Sequence, residues 1–95
     1  MRIISQNGTI DVPYDYFSLS VVSGKYKDVE VAYIYCHNLS SPNGTKLAEY
    51  STEAKAIKAM EMLREAWIKE TVEFEDGIYH RNIIFQFPQD DEIEV

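Results

Sequence analysis

Apolar and polar positions alternate with period two through most of the first half of this chain, then switch to a helical period. Residues 2–6 and 9–12 flank Asn7-Gly8, and Asn-Gly supplies the two positive-φ residues of a type I′ turn, so a β-hairpin is predicted at the start. Pro13 has no N–H to give a ladder, which ends the second strand or puts it at an edge. Over residues 16–22, Phe17, Leu19 and Val21 alternate with Ser18 and Ser20, the pattern of a half-buried strand. Residues 23–28 read as a turn. Residues 29–36 follow as the strongest strand, rich in β-branched and aromatic side chains. One of its faces carries Val29, Val31, Tyr33 and Tyr35; the other carries Glu30, Ala32, Ile34 and Cys36. Residues 40–44 read as a loop and residues 46–50 as a short returning strand.

The period then changes. Ser51 reads as an N-cap, its hydroxyl available to the free amides of a first turn. Residues 52 to 70 are mostly strong helix formers, with Ala56, Ile57, Met60, Leu63 and Trp67 on one stripe and Lys55, Lys58, Glu65 and Lys69 opposite. Residues 72–79 have two readings: a hairpin turning at Asp76-Gly77, or a helix that continues to Phe74. Residues 83–87 form a last strand stopped by Pro88, and residues 89–95 an acidic, frayed tail. The expected fold is α+β: an antiparallel sheet of about five or six strands with one long amphipathic helix on one face, residues 1–95 forming one domain.

Charge narrows the range of partners. Nine Lys and Arg stand against sixteen Asp and Glu, a net charge of -7, which repels nucleic-acid backbones and anionic membranes and favours a basic protein partner. No apolar run reaches the roughly 18 residues of a membrane span, and the first residues are too polar for a signal peptide, so a cytoplasmic protein is expected.

Little in the chain suggests catalysis. Cys36 and His37 are adjacent, and neighbours on a strand point to opposite faces, so they form no dyad. One cysteine and two histidines without ligand spacing predict no metal site, and no glycine-rich phosphate loop or other cofactor signature is present. The expected protein is not an enzyme.

The candidate binding residues come from a shortage of cover. One helix shields one side of a small sheet, and if it takes the small-residue side of residues 29–36, Tyr33 and Tyr35 stay uncovered. Tyrosine suits such a place, because its ring is apolar and its hydroxyl keeps its water. That face, with His37 beyond it, is expected to bind a protein partner or a second copy of the chain. Tyr79, His80 and Arg81 form a second cluster, with an aromatic ring for stacking and a guanidinium for an anion. Beside the tyrosines, they would offer a small-ligand pocket for a nucleotide.

Three stretches together carry a resemblance: residues 1–14, the segment from Tyr50 to Arg64 with Ser51-Thr52-Glu53-Ala54-Lys55-Ala56, and Ile84-Phe85-Gln86-Phe87-Pro88. Their pattern resembles small proteins of phages, prophages and mobile elements of Gram-positive bacteria. The resemblance covers about half the chain and carries no active-site residue. It implies an accessory protein that acts by binding, including inhibition of a host defence system, with sequestration of a signalling nucleotide as the alternative.

Overall fold

The structure, a computed structural model, describes residues 1–38, 41–74, 77–80 and 84–95, with residues 16, 41, 70–74 and 77–80 described by their backbone alone. Period-two patterning yields strands β1 (Arg2–Ile4), β2 (Asp11–Pro13), β3 (Ser18–Tyr26), β4 (Val29–Asn38) and β5 (Ser41–Tyr50). Helix α1 (Glu53–Glu70) follows, then β6 (Thr71–Phe74), β7 (Gly77–His80) and β8 (Ile84–Gln86), with short 3-10 turns at Tyr14–Tyr16 and Asp90–Glu92.

The strands do not form one sheet of five or six. They divide into β2-β1-β8, β3-β4-β5 and the pair β6-β7. The division follows from chain reversal: β1 pairs antiparallel with β2 but parallel with β8, so the last strand closes on the first and makes a sheet of its own. Of the two readings after the helix, the hairpin holds, with Thr71 opposite His80 and Phe74 opposite Gly77; of the expected Asp76-Gly77 turn, Asp76 lies outside the described residues.

Turn chemistry also departs from the sequence reading. Asn7 does not adopt positive φ; its side-chain oxygen accepts from the Ser5 hydroxyl, the Thr9 N–H and the Thr9 hydroxyl. These bonds hold a longer loop in which the Gly8 N–H donates to the Ser5 carbonyl, with Gly8 alone at φ +77. The two-residue turn with both residues left-handed lies instead at Lys27 (φ 50) and Asp28 (φ 66). Residues 23–26, expected within a turn, therefore continue β3, pairing from Ser23 opposite Ala32 to Tyr26 opposite Val29.

The expected loop at residues 40–44 is strand from Ser41 onward, where Pro42 is tolerated because β5 is an edge. Gly44 sits at φ +83 beside the irregular pairing after Cys36, and a Cβ there would meet the Cys36 carbonyl oxygen at 3.3 Å. A second register shift leaves Leu47 between the pairs Ile34–Ala48 and Tyr35–Lys46. That bulge lets the neighbours Leu47 and Ala48 both turn into the core.

Helix α1 lies on the side of β3-β4-β5 that holds Ala32, Ile34 and Cys36, packing Ala56, Ala59 and Leu63 against them. The buried stripe includes Ala59 and leaves Ile57 exposed, because small residues let the helix approach the sheet closely. Trp67 instead stacks on Tyr14, ring centroids 5.0 Å apart. Thr52, not Ser51, caps the helix: its hydroxyl accepts from the Lys55 N–H and its carbonyl from the Ala56 N–H. Full burial of Leu63 is worth roughly 2–3 kcal/mol, against about 1 for one capping bond, so packing dominates the helix's attachment.

The C-terminal segment, expected to fray, lies against the fold. Gln89 and Glu92 close a capping box, Ile93 is buried in the core, and Asp90 accepts from the Ser51 N–H at 2.8 Å and from the Lys55 ammonium at 3.2 Å.

Candidate functional site

With α1 on one side, the β3-β4-β5 sheet turns its other face outward. Alternation along β4 puts Val29, Val31, Tyr33, Tyr35 and His37 on that outer face. The cross-strand register adds Tyr26 opposite Val29, Gly24 opposite Val31, Val22 opposite Tyr33 and Ser20 opposite Tyr35. Tyr33 and Tyr35 are half-buried, their ring centroids 6.0 Å apart with planes tilted by 56°. Val22, Tyr26 and Val29 are 50%, 69% and 67% exposed. Burying each of them would be worth about 1 kcal/mol or more.

Three candidate residues, Tyr33, Tyr35 and His37, thus share one strand face. Cys36 points the other way into the core, where burial pushes its thiol up and away from the reactive thiolate. Tyr79 and His80 belong to β7, whose backbone alone is described, and Arg81 lies outside the described residues, as does the expected juxtaposition of this cluster with the tyrosines. Val22 and Tyr26 were missed as site residues. A signal was present: Val22-x-Gly24-x-Tyr26 keeps the period of two past the point where Ser23-Gly24 suggests a turn.

Around Tyr33 the face has its own electrostatics. Burial first, and then the Glu49 carboxylate that accepts from its hydroxyl, push the Tyr33 phenol above its ordinary range. The Lys46 ammonium stands 5.3 Å from the Tyr33 ring centroid, and the Lys27 ammonium 5.5 Å from that of Tyr26.

Where β5 ends, a hollow of about 410 Å³ opens, lined by residues that include Tyr26, Val29, Val31, Tyr33, Glu30 and Glu49. Tyr50 at its floor is buried and donates from its hydroxyl to the Pro88 carbonyl at 2.8 Å; burial holds that phenol far above its usual range. At the rim, Glu30 Oε1 accepts from the Glu53 N–H at 2.9 Å, on the helix N-terminus. Asp90 lies beside it; the Ser51 N–H holds its carboxyl below the ordinary range, helped by the Ser51 hydroxyl and Lys55. Among the described residues no Lys or Arg lines this hollow, so the walls they form repel a phosphate group.

Among the described residues no group of three His, Cys, Asp or Glu converges to hold a metal ion, and no helix is long and apolar enough to cross a membrane. No protein-family model matches this chain, and neither a curated protein nor a solved structure matches it.

Proposed function

We propose that this chain is a non-enzymatic binding protein that docks a protein partner on the outer face of β3-β4-β5. One observation carries the reading: Val22, Tyr26 and Val29 are half or more exposed in a row with Tyr33 and Tyr35, on the sheet face opposite the helix. Exposed tyrosines are among the side chains enriched at interface centres. A net charge of -7 biases the partner towards a basic surface. Taken with the resemblance to mobile-element proteins, the partner is a host protein, and blocking a defence system is the expected consequence.

The test compares the wild-type chain with a Val22→Thr, Tyr26→Thr, Tyr35→Ser variant, in capture from a Gram-positive host lysate and in sedimentation. These side chains are exposed or half-buried and make no core contact with α1, so the variant is expected to fold with unchanged circular dichroism. Wild type is expected to recover one protein in stoichiometric amount, and the variant none. Equal recovery by both chains refutes the proposal, and a wild-type dimer that the variant abolishes would assign the face to self-association instead.

A further inference from the structure

The outer face ends in a hollow whose walls have one-sided chemistry. β5 stops at Tyr50, opposite Ala32, while β4 runs on through residues 29–31 with β3 alone beside it. The gap left by the shorter strand is the hollow of about 410 Å³, and it continues the docking face through Tyr26, Val29, Val31 and Tyr33. Its apolar wall is made of two rings and two valines. Its polar wall is made of carboxylates: Glu30, Glu49 and Asp90.

These carboxylates differ in what they already hold. Asp90 is neutralised by Lys55 at 3.2 Å. Glu30 meets the Glu53 N–H and Glu49 meets the Tyr33 hydroxyl, both neutral donors, and among the described residues neither carboxylate is held in an ion pair. The rings beside them attract cations, as Lys46 over Tyr33 and Lys27 over Tyr26 demonstrate, yet neither ammonium lines the hollow. Among the described residues no three ligating groups converge, which disfavours a bare metal ion as the occupant. A long cationic side chain fits both walls at once, laying its methylene stem on the valines and rings and its charged head against Glu30 and Glu49.

We propose that this hollow receives a lysine or arginine side chain of the protein docked on the outer face, an assignment that rests on the docking role of that face. The probes are Nα-acetyl-arginine N-methylamide and Nα-acetyl-lysine N-methylamide, with the glutamine analogue as a neutral control, titrated into the isotope-labelled chain and followed by amide chemical shifts. Saturable shifts confined to residues 26–33, 49–51 and 90 are expected for the two cations, with dissociation constants in the roughly millimolar range of a single side chain. Glu49→Gln is expected to weaken that binding about fivefold while keeping the fold, because its main-chain bonds to Gln6 are unchanged. Raising salt to about 0.5 M should weaken it in the same direction. Equal shifts with the glutamine analogue, no saturation with either cation, or indifference to Glu49→Gln would each overturn the assignment. Should the probes fail while the outer-face variant still loses its captured protein, the docking face stands and only the cation pocket falls. If that variant captures as well as wild type, the docking face falls whatever the probes do.

Discussion

A glutamine side chain has the donor and acceptor of a peptide group, and Gln6 uses both against the main chain of Glu49. Its Nε2 donates to the Glu49 carbonyl at 3.0 Å and its Oε1 accepts from the Glu49 N–H at 3.1 Å. The same Nε2 reaches the Pro88 carbonyl at 3.1 Å, the Gln6 N–H reaches the Leu47 carbonyl at 2.8 Å, and Gln89 donates back to the Gln6 carbonyl at 2.7 Å. One residue therefore joins the loop after β1, the edge of β5 and the C-terminal segment. A neutral hydrogen bond nets about 1 kcal/mol, and a half-buried carbonyl left unpaired costs more. Gln6→Ala is expected to lower stability by about 2–3 kcal/mol, seen as a lower urea midpoint with an unchanged slope. Gln6→Glu should be at least as damaging, because it turns an acceptor towards the carbonyls of Glu49 and Pro88. A smaller loss in both variants, below about 0.5 kcal/mol, would show that the two sheets are held by apolar packing alone.

Among the elements, the β3–β4 hairpin shows best how local sequence and global register compete. Its turn places Lys27 and Asp28 in the left-handed region, where a side chain other than glycine costs about 1 kcal/mol or more. Replacing Lys27-Asp28 by Asn-Gly should raise stability by about 1 kcal/mol, or roughly 4–8 °C in Tm. Part of the gain is offset by loss of the Lys27 contact with Tyr26. An unchanged or lower Tm would mean that the turn is not under strain. The same hairpin marks what was legible beforehand. The alternation of β4 alone separated Ala32, Ile34 and Cys36 from Tyr33 and Tyr35, because burial on one face imposes a period of two. Helix α1 was legible for the same kind of reason. Turn positions were not: the strongest turn dipeptide, Asn7-Gly8, sits in a loop held by Asn7's own side chain, and register placed the left-handed pair at a lysine and an aspartate. Nor were the bonds of Gln6, which span 43 and 82 positions, or the pairing of the first strand with the last. Local pattern has no access to contacts at such separation. For the candidate site, the shared face of Tyr33, Tyr35 and His37 followed from alternation, whereas the hollow lies where β5 stops opposite Ala32, short of residues 29–31 of β4.

At the scale of the whole molecule, the chain is extended for its length. The radius of gyration is 14.6 Å and the extents are 55 × 34 × 19 Å, against about 12–13 Å expected for a compact chain of this length. The β3–β4 hairpin ends in an arm: residues 22–30 are all exposed, whereas Ala32, Ile34 and Cys36 further along β4 are buried under the helix. An arm of two paired strands has ladder bonds but little packing, and an isolated hairpin is marginal in water. Its opening should therefore cost much less than unfolding the domain. Native-state hydrogen exchange is expected to give the amides of residues 22–30 protection well below that of Ala32, Ile34 and Cys36, and independent of low denaturant concentration. A partner that seats on the outer face would raise protection in the arm selectively, since it supplies the packing that the chain's own helix provides only further along the sheet. Uniform protection from Val22 to Cys36 would instead make the arm part of the cooperative core, and Val22, Tyr26 and Val29 would then be exposed for a reason unrelated to docking.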